Sequence, residues 1–465
     1  MGRLVVVSNR VALPGESRAG GLAVALQAAL EDRARKRGGG LWFGWSGKID
    51  PDRSGRLHEA EANGVTYATI DLSRRDHADY YNGFANRSLW PLLHFRMDLV
   101  DYSRETWAAY RRVNALFADK LAPMLRDDDL VWVHDYHLIP LAALLRERGV
   151  RARIGFFLHV PMPSSDLLAA LPQHRQLFDG LSSYDLVGFQ TVRDLERFQD
   201  YVRLFGGGRI LTPGLMETGE GHRFRAGAFP ISIDTAQIER QAADAVDKGS
   251  VKRLRESLSG RALAIGVDRL DYSKGLPERF RAFERLLQRY PDQRGSLTFL
   301  QIAPVSRGEV AEYKALRGEL EQLAGHINGG HAEPDWTPVR YVNRNFAHPT
   351  LTGFYRLARI GLVTPLRDGM NLVAKEYVAA QDPADPGVLV LSTFAGAARE
   401  LDEGALVVNP YDLDGVADAI ARAARMPLAE RRQRWEGMMD LLRRYDIHAW
   451  RRDYLEALAK TPRAA

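Results

Sequence analysis

Arg269 and Lys274 stand five residues apart in the string Gly266-Val267-Asp268-Arg269-Leu270-Asp271-Tyr272-Ser273-Lys274-Gly275, between an apolar run and a helical pattern opening near Leu276. A guanidinium fork and an ammonium at a strand's C-terminal end can neutralise a diphosphate as it leaves a sugar, supplying the charge balance that a metal gives elsewhere. A second chemistry stays open, because Asp268 and Asp271 could simply pair with the two cations at the surface. The string Thr364-Pro365-Leu366-Arg367-Asp368-Gly369-Met370-Asn371-Leu372-Val373-Ala374-Lys375-Glu376 repeats the placement: an apolar run, a turn carrying Asp368, then a helix. Free N–H groups at Asn371 to Val373 can bind the same diphosphate, and Glu376, one turn on, can accept from ribose hydroxyls. Asp368 stands where a sugar could reach it.

The first half of the chain has its own candidates. Ser8-Asn9-Arg10 ends an apolar run, and Gly20-Gly21 opens a helical pattern, so the pair is either a phosphate-binding loop or only a turn. It does not match the G-x-G-x-x-G dinucleotide fingerprint. Trp132 to His137 and Phe157 to Pro161 each end a buried run with polar groups, which places Asp135 and His159 toward a shared cleft. The crowd of His134, His137 and His159 raises the question of a metal, yet the spacing matches neither a helical H-E-x-x-H nor a closed tetrahedral zinc site. No D-x-D element of metal-dependent sugar transferases is found, and Asp127 to Asp129 precedes a strand instead. No cofactor and no metal are expected.

Such groups need elements to hold them. Short runs rich in Val, Ile, Leu and Phe alternate with amphipathic stretches, the pattern of parallel sheets covered by helices, so the fold class is α/β. Strands are predicted at 4–8, 41–45, 65–70, 130–134, 154–159 and 186–190, then at 262–267, 297–302, 339–342, 361–364, 388–391 and 405–408. Two Rossmann-like domains are expected, 1–233 and 234–427, with the change-over at Phe229 to Asp234, where Pro230 interrupts an apolar run. Helices over 428–465 are expected to pack back on the first domain. Two such domains would turn the C-terminal ends of both sheets toward one cleft, the place where open α/β sheets bind ligands.

With 465 residues, one core is too few. A hydrophobic fraction of 45% with 26% charged residues excludes a disordered chain. The net charge of +5 is small for this length and suits anionic small molecules rather than nucleic acid. The chain has no Cys, which excludes disulfides and thiolate catalysis and fits a cytoplasmic protein. No signal peptide or membrane anchor is expected. Self-association is compatible with all of this.

Together the strings Arg3 to Arg10, Gly20 to Val24, Leu41 to Gly47, Tyr80 to Asn82, Leu89 to Pro91, Val133 to His137, Gly155 to His159, Arg269 to Arg279, Gln301 to Gly308 and Leu362 to Pro383 closely resemble the trehalose-6-phosphate synthase family, retaining glycosyltransferases of GT-B fold. The resemblance spans nearly the whole chain. It implies transfer of glucose from a nucleotide-glucose, UDP-glucose first, to glucose 6-phosphate, without a metal. It places Arg10, Tyr81, Trp90 and Arg307 around the acceptor, both arginines on its phosphate, with Asp135 on the acceptor sugar. Gly20, Gly21, Arg269, Lys274 and the run Met370, Asn371, Leu372, Val373, Ala374, Lys375 and Glu376 fall at donor positions. His159 and Asp368 fall at the donor glucose, and Phe346 beside the base. No carboxylate is placed as a covalent nucleophile, so the resemblance implies front-side attack with Arg269 and Lys274 steadying the leaving group. The rivals are a pseudo-glycosyltransferase joining a cyclitol nucleotide to an amino-cyclitol phosphate, a silent sugar-phosphate sensor, and a dinucleotide oxidoreductase; the last lacks its glycine fingerprint.

Overall fold

The computed structural model describes residues 2–14, 21–50, 55–305 and 311–462. Two compact units form, one from Met1–Ile231 with Ala449–Ala465, the other from Ser232–His448.

In the first unit the strands are β1 (Leu4–Arg10), β2 (Gly40–Ile49), β3 (Leu57–Ala62), β4 (Val65–Leu72), β5 (Leu130–His134), β6 (Arg153–Phe157), β7 (Leu186–Phe189), β8 (Arg209–Thr212), β9 (Leu215–Glu217) and β10 (Arg223–Ala228). They make one sheet in the order β3-β4-β2-β1-β5-β6-β7-β10-β9-β8. The stretch from β4 to β10 is parallel, and its central strands are continuous apolar runs because helices bury both faces. Antiparallel strands finish the edges. The polar sequence His58-Glu59 with Glu61 suits β3 to an exposed edge, and charge there discourages pairing with another chain.

In the second unit the strands are β11 (Ala262–Val267), β12 (Leu297–Ile302), β13 (Val339–Val342), β14 (Ile360–Val363), β15 (Val388–Ser392) and β16 (Leu406–Val408). Their order, β13-β12-β11-β14-β15-β16, is the dinucleotide-fold order 3-2-1-4-5-6, all parallel. The helix Leu276–Arg289 turns Phe280 and Phe283 onto Phe299 of β12, with ring centroids 5.5 and 5.2 Å apart. Each buried ring contributes about 1.5–3 kcal/mol by removal from water.

Both sheets reverse direction of growth beside their first strand, between β1 and β5 and between β11 and β14. At such a switch point the loops leaving the two strands part in opposite directions and open a crevice.

The tail departs from expectation. The helix Leu428–Arg444 stays in the second unit, where the buried Trp435 donates its indole N–H to the Val378 carbonyl at 2.9 Å. Its apolar face of Trp435, Met438, Met439 and Leu442 finds cover there. The chain joins the first unit only from Ala449. There Trp450 and Tyr454 pack on Trp132 of β5 at 4.9 and 4.6 Å, and the Tyr454 hydroxyl donates to the Phe156 carbonyl at 2.9 Å. Gly155 and Gly188 make room for this, since a Cβ at either would lie 2.5 and 2.7 Å from the Tyr454 ring system.

Candidate functional site

The polar groups of the first unit cluster where β1, β5 and β6 end, because the parallel register brings Ser8 beside His134 and His134 beside Phe157. Ser8 accepts from the Trp42 indole at 2.8 Å, Asn9 accepts from the Tyr80 hydroxyl at 2.6 Å, and the exposed Arg10 lies over Gly47, whose absent side chain leaves it space. Asp135 has φ 75° and ψ 165°, a backbone region that side chains avoid at a cost of roughly 1–3 kcal/mol. Its carboxylate accepts from the His159 backbone N–H at 3.2 Å, and its own N–H donates to the Phe157 carbonyl at 2.8 Å. The strain therefore holds one carboxylate at the switch point.

A π-helical run, His77–Leu89, carries the aromatic part. Tyr81 is half-buried and lies among His77, Trp45 and His137, stacked on the last at 5.8 Å. Wide π turns are rare and recur at binding sites. Trp90 is 4% exposed and packs on Tyr136, so it backs the surface rather than forming it.

Hydrogen bonding fixes the tautomers of the two neighbouring histidines. Gln190 accepts from Ile231 N–H at 3.1 Å through its carbonyl, so its amide N–H is the group 3.4 Å from His159 Nδ1. His159 Nε2 then donates to His134 Nδ1 at 3.0 Å. Burial pushes His159 down to about 3, and it lowers His134 strongly, with the His159 ring adding to that. Both rings are neutral across the working range, so His159 is a hydrogen-bonding group and not a proton shuttle there.

The sign of the resulting pH dependence follows. The unfolded chain binds a proton on His159 near 6.5 while the folded one refuses it to about 3, so stability falls as pH drops through that window. At pH 5 the loss from His159 should be on the order of 1–2 kcal/mol relative to pH 7.5. Urea midpoints at the two pH values check this, and an equal shift in wild type and His159→Gln would remove His159 from the explanation.

In the second unit the loops after β11 and β14 meet. Gly275 has φ 63°, and a Cβ there would fall 2.6 Å from the Thr364 carbonyl, so only glycine lets the two loops close. Leu366 N–H donates to the Ser273 carbonyl at 2.9 Å. Across this seam the Lys274 ammonium meets the Asp368 carboxylate at 2.5 Å, and Asn371 donates to the same oxygen at 3.0 Å. The helix Leu372–Ala380 begins next, with Asn371 in a left-handed conformation and no side chain capping the helix. Its first N–H groups are thus available at the switch point.

The alternative role of Asp268 and Asp271 resolves differently for each. Asp268 binds the fully buried Arg279 at 2.6 Å, and Arg279 also donates to Gln301 and Thr364, each at 2.9 Å, and to the Lys274 carbonyl at 3.3 Å. Burial raises the Asp268 carboxyl, with Arg279 and Lys274 pulling against it. Asp271 accepts from Ser273 N–H at 3.0 Å and from the Tyr313 hydroxyl at 3.1 Å, building the turn that presents Lys274. Arg269 is exposed at the head of that turn.

Other expected positions are distributed unevenly. Met370 and Ala374 are buried, and Lys375 is wholly buried against Glu400 at 2.7 Å, its ammonium lowered by that burial. Their side chains support the helix start. Glu376 lies 3.5 Å from His348, and Phe346 sits under the Arg344 guanidinium at 4.8 Å. Gly20 and Arg307 lie outside the described residues; Gly21 opens the helix Gly21–Arg37. The Arg279 network and the His134–His159 contact escaped the sequence reading. A signal existed for the first: Arg279 follows Leu276 by three and precedes Phe283 by four, on the apolar stripe, where a charge must find buried partners.

A model of glycosyltransferase family 20 matches residues 6–460. The chain belongs to glycosyltransferase family 20. As a family-20 protein it is 53% identical over 462 residues to the trehalose-6-phosphate synthase of Sinorhizobium fredii, covering 98% of each chain. It is 50% identical to the crystal structure of an α,α-trehalose-phosphate synthase (UDP-forming) from Burkholderia xenovorans in complex with glucose-6-phosphate, over 98% of this chain and 100% of that one, with a TM-score of 0.94. A structure from E. coli bound with UDP-2-fluoro glucose is 47% identical over 100% of both chains, also with a TM-score of 0.94. The expected α/β class and GT-B fold are borne out. Among the described residues of this family-20 chain, no group of three or more His, Asp or Glu could hold a metal, and no helix is long and apolar enough to cross a membrane.

Proposed function

We propose that this chain transfers glucose, with retention, from a nucleotide-glucose, UDP-glucose first, to glucose 6-phosphate, giving α,α-trehalose 6-phosphate and the nucleoside diphosphate. The observation that carries it is the seam in the second unit, where Lys274, Asp368 and the uncapped start of the helix Leu372–Ala380 converge. One end of that arrangement suits a diphosphate, the other a sugar hydroxyl. Arg269 and Lys274 take the leaving charge, Glu376 the ribose, Phe346 the base, and Asp368 the donor glucose. His159 is assigned to that glucose as well, where a hydroxyl would take the place of its long 3.4 Å contact to Gln190. On the acceptor side Arg10 and Arg307 hold the phosphate, Tyr81 covers the apolar face of the ring and Asp135 takes a hydroxyl.

The acceptor's anomeric hydroxyl attacks from the face the diphosphate leaves. The new C–O bond forms as the C–O bond to phosphate breaks, and a departing phosphate oxygen takes the hydroxyl proton. The work of this chain is orientation and charge balance.

The experiment is release of nucleoside diphosphate from UDP-, GDP- and ADP-glucose, with and without glucose 6-phosphate. Acceptor-dependent release is expected; release indifferent to acceptor, or none from any donor, overturns the assignment. Arg10→Ala should raise the acceptor KM by about 10- to 100-fold, as loss of a charge-assisted phosphate contact, and leave the donor KM within about twofold. An unchanged acceptor KM would remove Arg10 from the phosphate site.

A further inference from the structure

Three helices of the second unit, Thr235–Ala245, His348–Leu357 and Leu372–Ala380, pack on one another. A polar chain runs across them. His348 Nε2 lies 3.5 Å from Glu376 Oε1, and His348 Nδ1 lies 3.1 Å from the Gln241 side-chain carbonyl oxygen. With Gln241 oriented carbonyl-first, both partners are acceptors, an arrangement that the imidazolium, donating from both ring nitrogens, satisfies in full. The Glu376 side chain is 12% exposed while that of His348 is 43% exposed, which leaves the ring open to protons and the carboxylate shielded.

The surrounding charges leave this pair to itself. The bond to Glu376 raises His348 above its ordinary value, against burial, and Glu376 is the charged group that acts on it. From the helix Thr235–Ala245 the neutral Gln241 makes the contact, and Glu239 there is paired with Arg443. On the helix Gly249–Leu258, which also packs on His348–Leu357, Lys252 pairs with Glu256 and Arg255 with Asp247. Lys375, beside Glu376, is held by Glu400, and Arg344 lies over Phe346.

We propose that His348, braced by Gln241, is a positioning residue of the donor site: it fixes one oxygen of Glu376 so that the other is presented to the ribose diol. The inference rests on the reading of Glu376 as the ribose contact. Deprotonation makes Nδ1 an acceptor, the Gln241 amide turns to donate to it, and the carboxylate loses its charged partner. Because the folded His348 value is raised above 6.5, the brace is complete below that pH and is lost as pH climbs through the raised value.

The test is donor KM between pH 6 and pH 9 at saturating glucose 6-phosphate, whose own phosphate titrates near pH 6. For wild type the donor KM should rise about fivefold over this range with kcat nearly constant, the scale of one ordinary hydrogen bond, since the brace acts on the ribose only through Glu376. His348→Gln should hold the high value at every pH and His348→Arg the low one. A slope that survives in His348→Gln, a flat wild-type profile, or a change falling on kcat overturns the proposal. The imidazole proton resonance of His348 in donor-free protein supplies an independent readout. It should titrate above 6.5 in wild type and return to the ordinary value in Glu376→Gln; an ordinary wild-type value also overturns the brace. If no nucleotide-glucose is turned over, the transferase reading fails, and the resonance still decides the Gln241–His348–Glu376 chain.

Discussion

Replacing Lys274 with alanine is expected to cut kcat by about 10²–10³-fold, the scale seen when one preorganised group at a developing charge is removed. The ammonium is nearly buried, its side chain 11% exposed, so its field acts through little water and is worth more than that of a surface cation. Asp368 and the Asp271 turn hold it in place before any ligand arrives, which keeps the reorganisation cost low. Arg269→Ala should lower kcat in the same direction by a smaller factor, because Arg269 is exposed and screened. Steady-state rates with both substrates saturating, alongside far-UV circular dichroism to confirm folding, check both variants. A folded Lys274→Ala protein with near-normal turnover would remove leaving-group stabilisation from the proposed mechanism.

Arg279→Ala is expected to destabilise the second unit by about 3–5 kcal/mol, the cost of stranding a buried charge. Arg279 is 1% exposed, and the Asp268 side chain it neutralises is 3% exposed. The same guanidinium ties the Lys274 carbonyl to Thr364, so it also sets the spacing of the two ligand-facing loops. Two effects are therefore separable. The double variant Arg279→Met, Asp268→Leu removes both charges and should recover most of the stability, since an apolar pair can replace a buried ion pair at little cost. It should not recover turnover, because the guanidinium that ties the Lys274 carbonyl to Thr364 is gone and the seam keeps only its Leu366–Ser273 and Lys274–Asp368 contacts. Urea unfolding and kcat on the single and double variants measure the two; a single variant losing less than about 1 kcal/mol would show that the network carries little.

What the sequence made legible follows from which physics is local. Each apolar run predicted as a strand overlaps one, with 154–159, 186–190, 361–364 and 405–408 overrunning an end, because a strand buried on both faces is a continuous hydrophobic word that needs no knowledge of its neighbours. The strands it missed, β3 and β8 to β10, lie toward the two ends of the sheet and carry His58, Glu61, Arg209 and Arg223, and their pairing is decided by tertiary position. The Lys274 and Asp368 loops were likewise readable as strand-turn-helix units. Their direct contact was not, since it joins residues 94 apart through a seam set by Gly275. The tail misled for the same reason: Leu428–Arg444 and the final helix are both amphipathic, and amphipathicity does not say which apolar surface is owed a cover.

The return of the last segment to the first unit sets an order of synthesis. Trp132 and Phe157 are made before the second unit, yet the rings that close over them, Trp450 and Tyr454, are made after it. The second unit, an uninterrupted stretch of chain, can mature during translation, while the earlier one waits with an open apolar face until Trp450 and Tyr454 have been made. A stop codon shortly before Ala449 would therefore damage the earlier-made unit most.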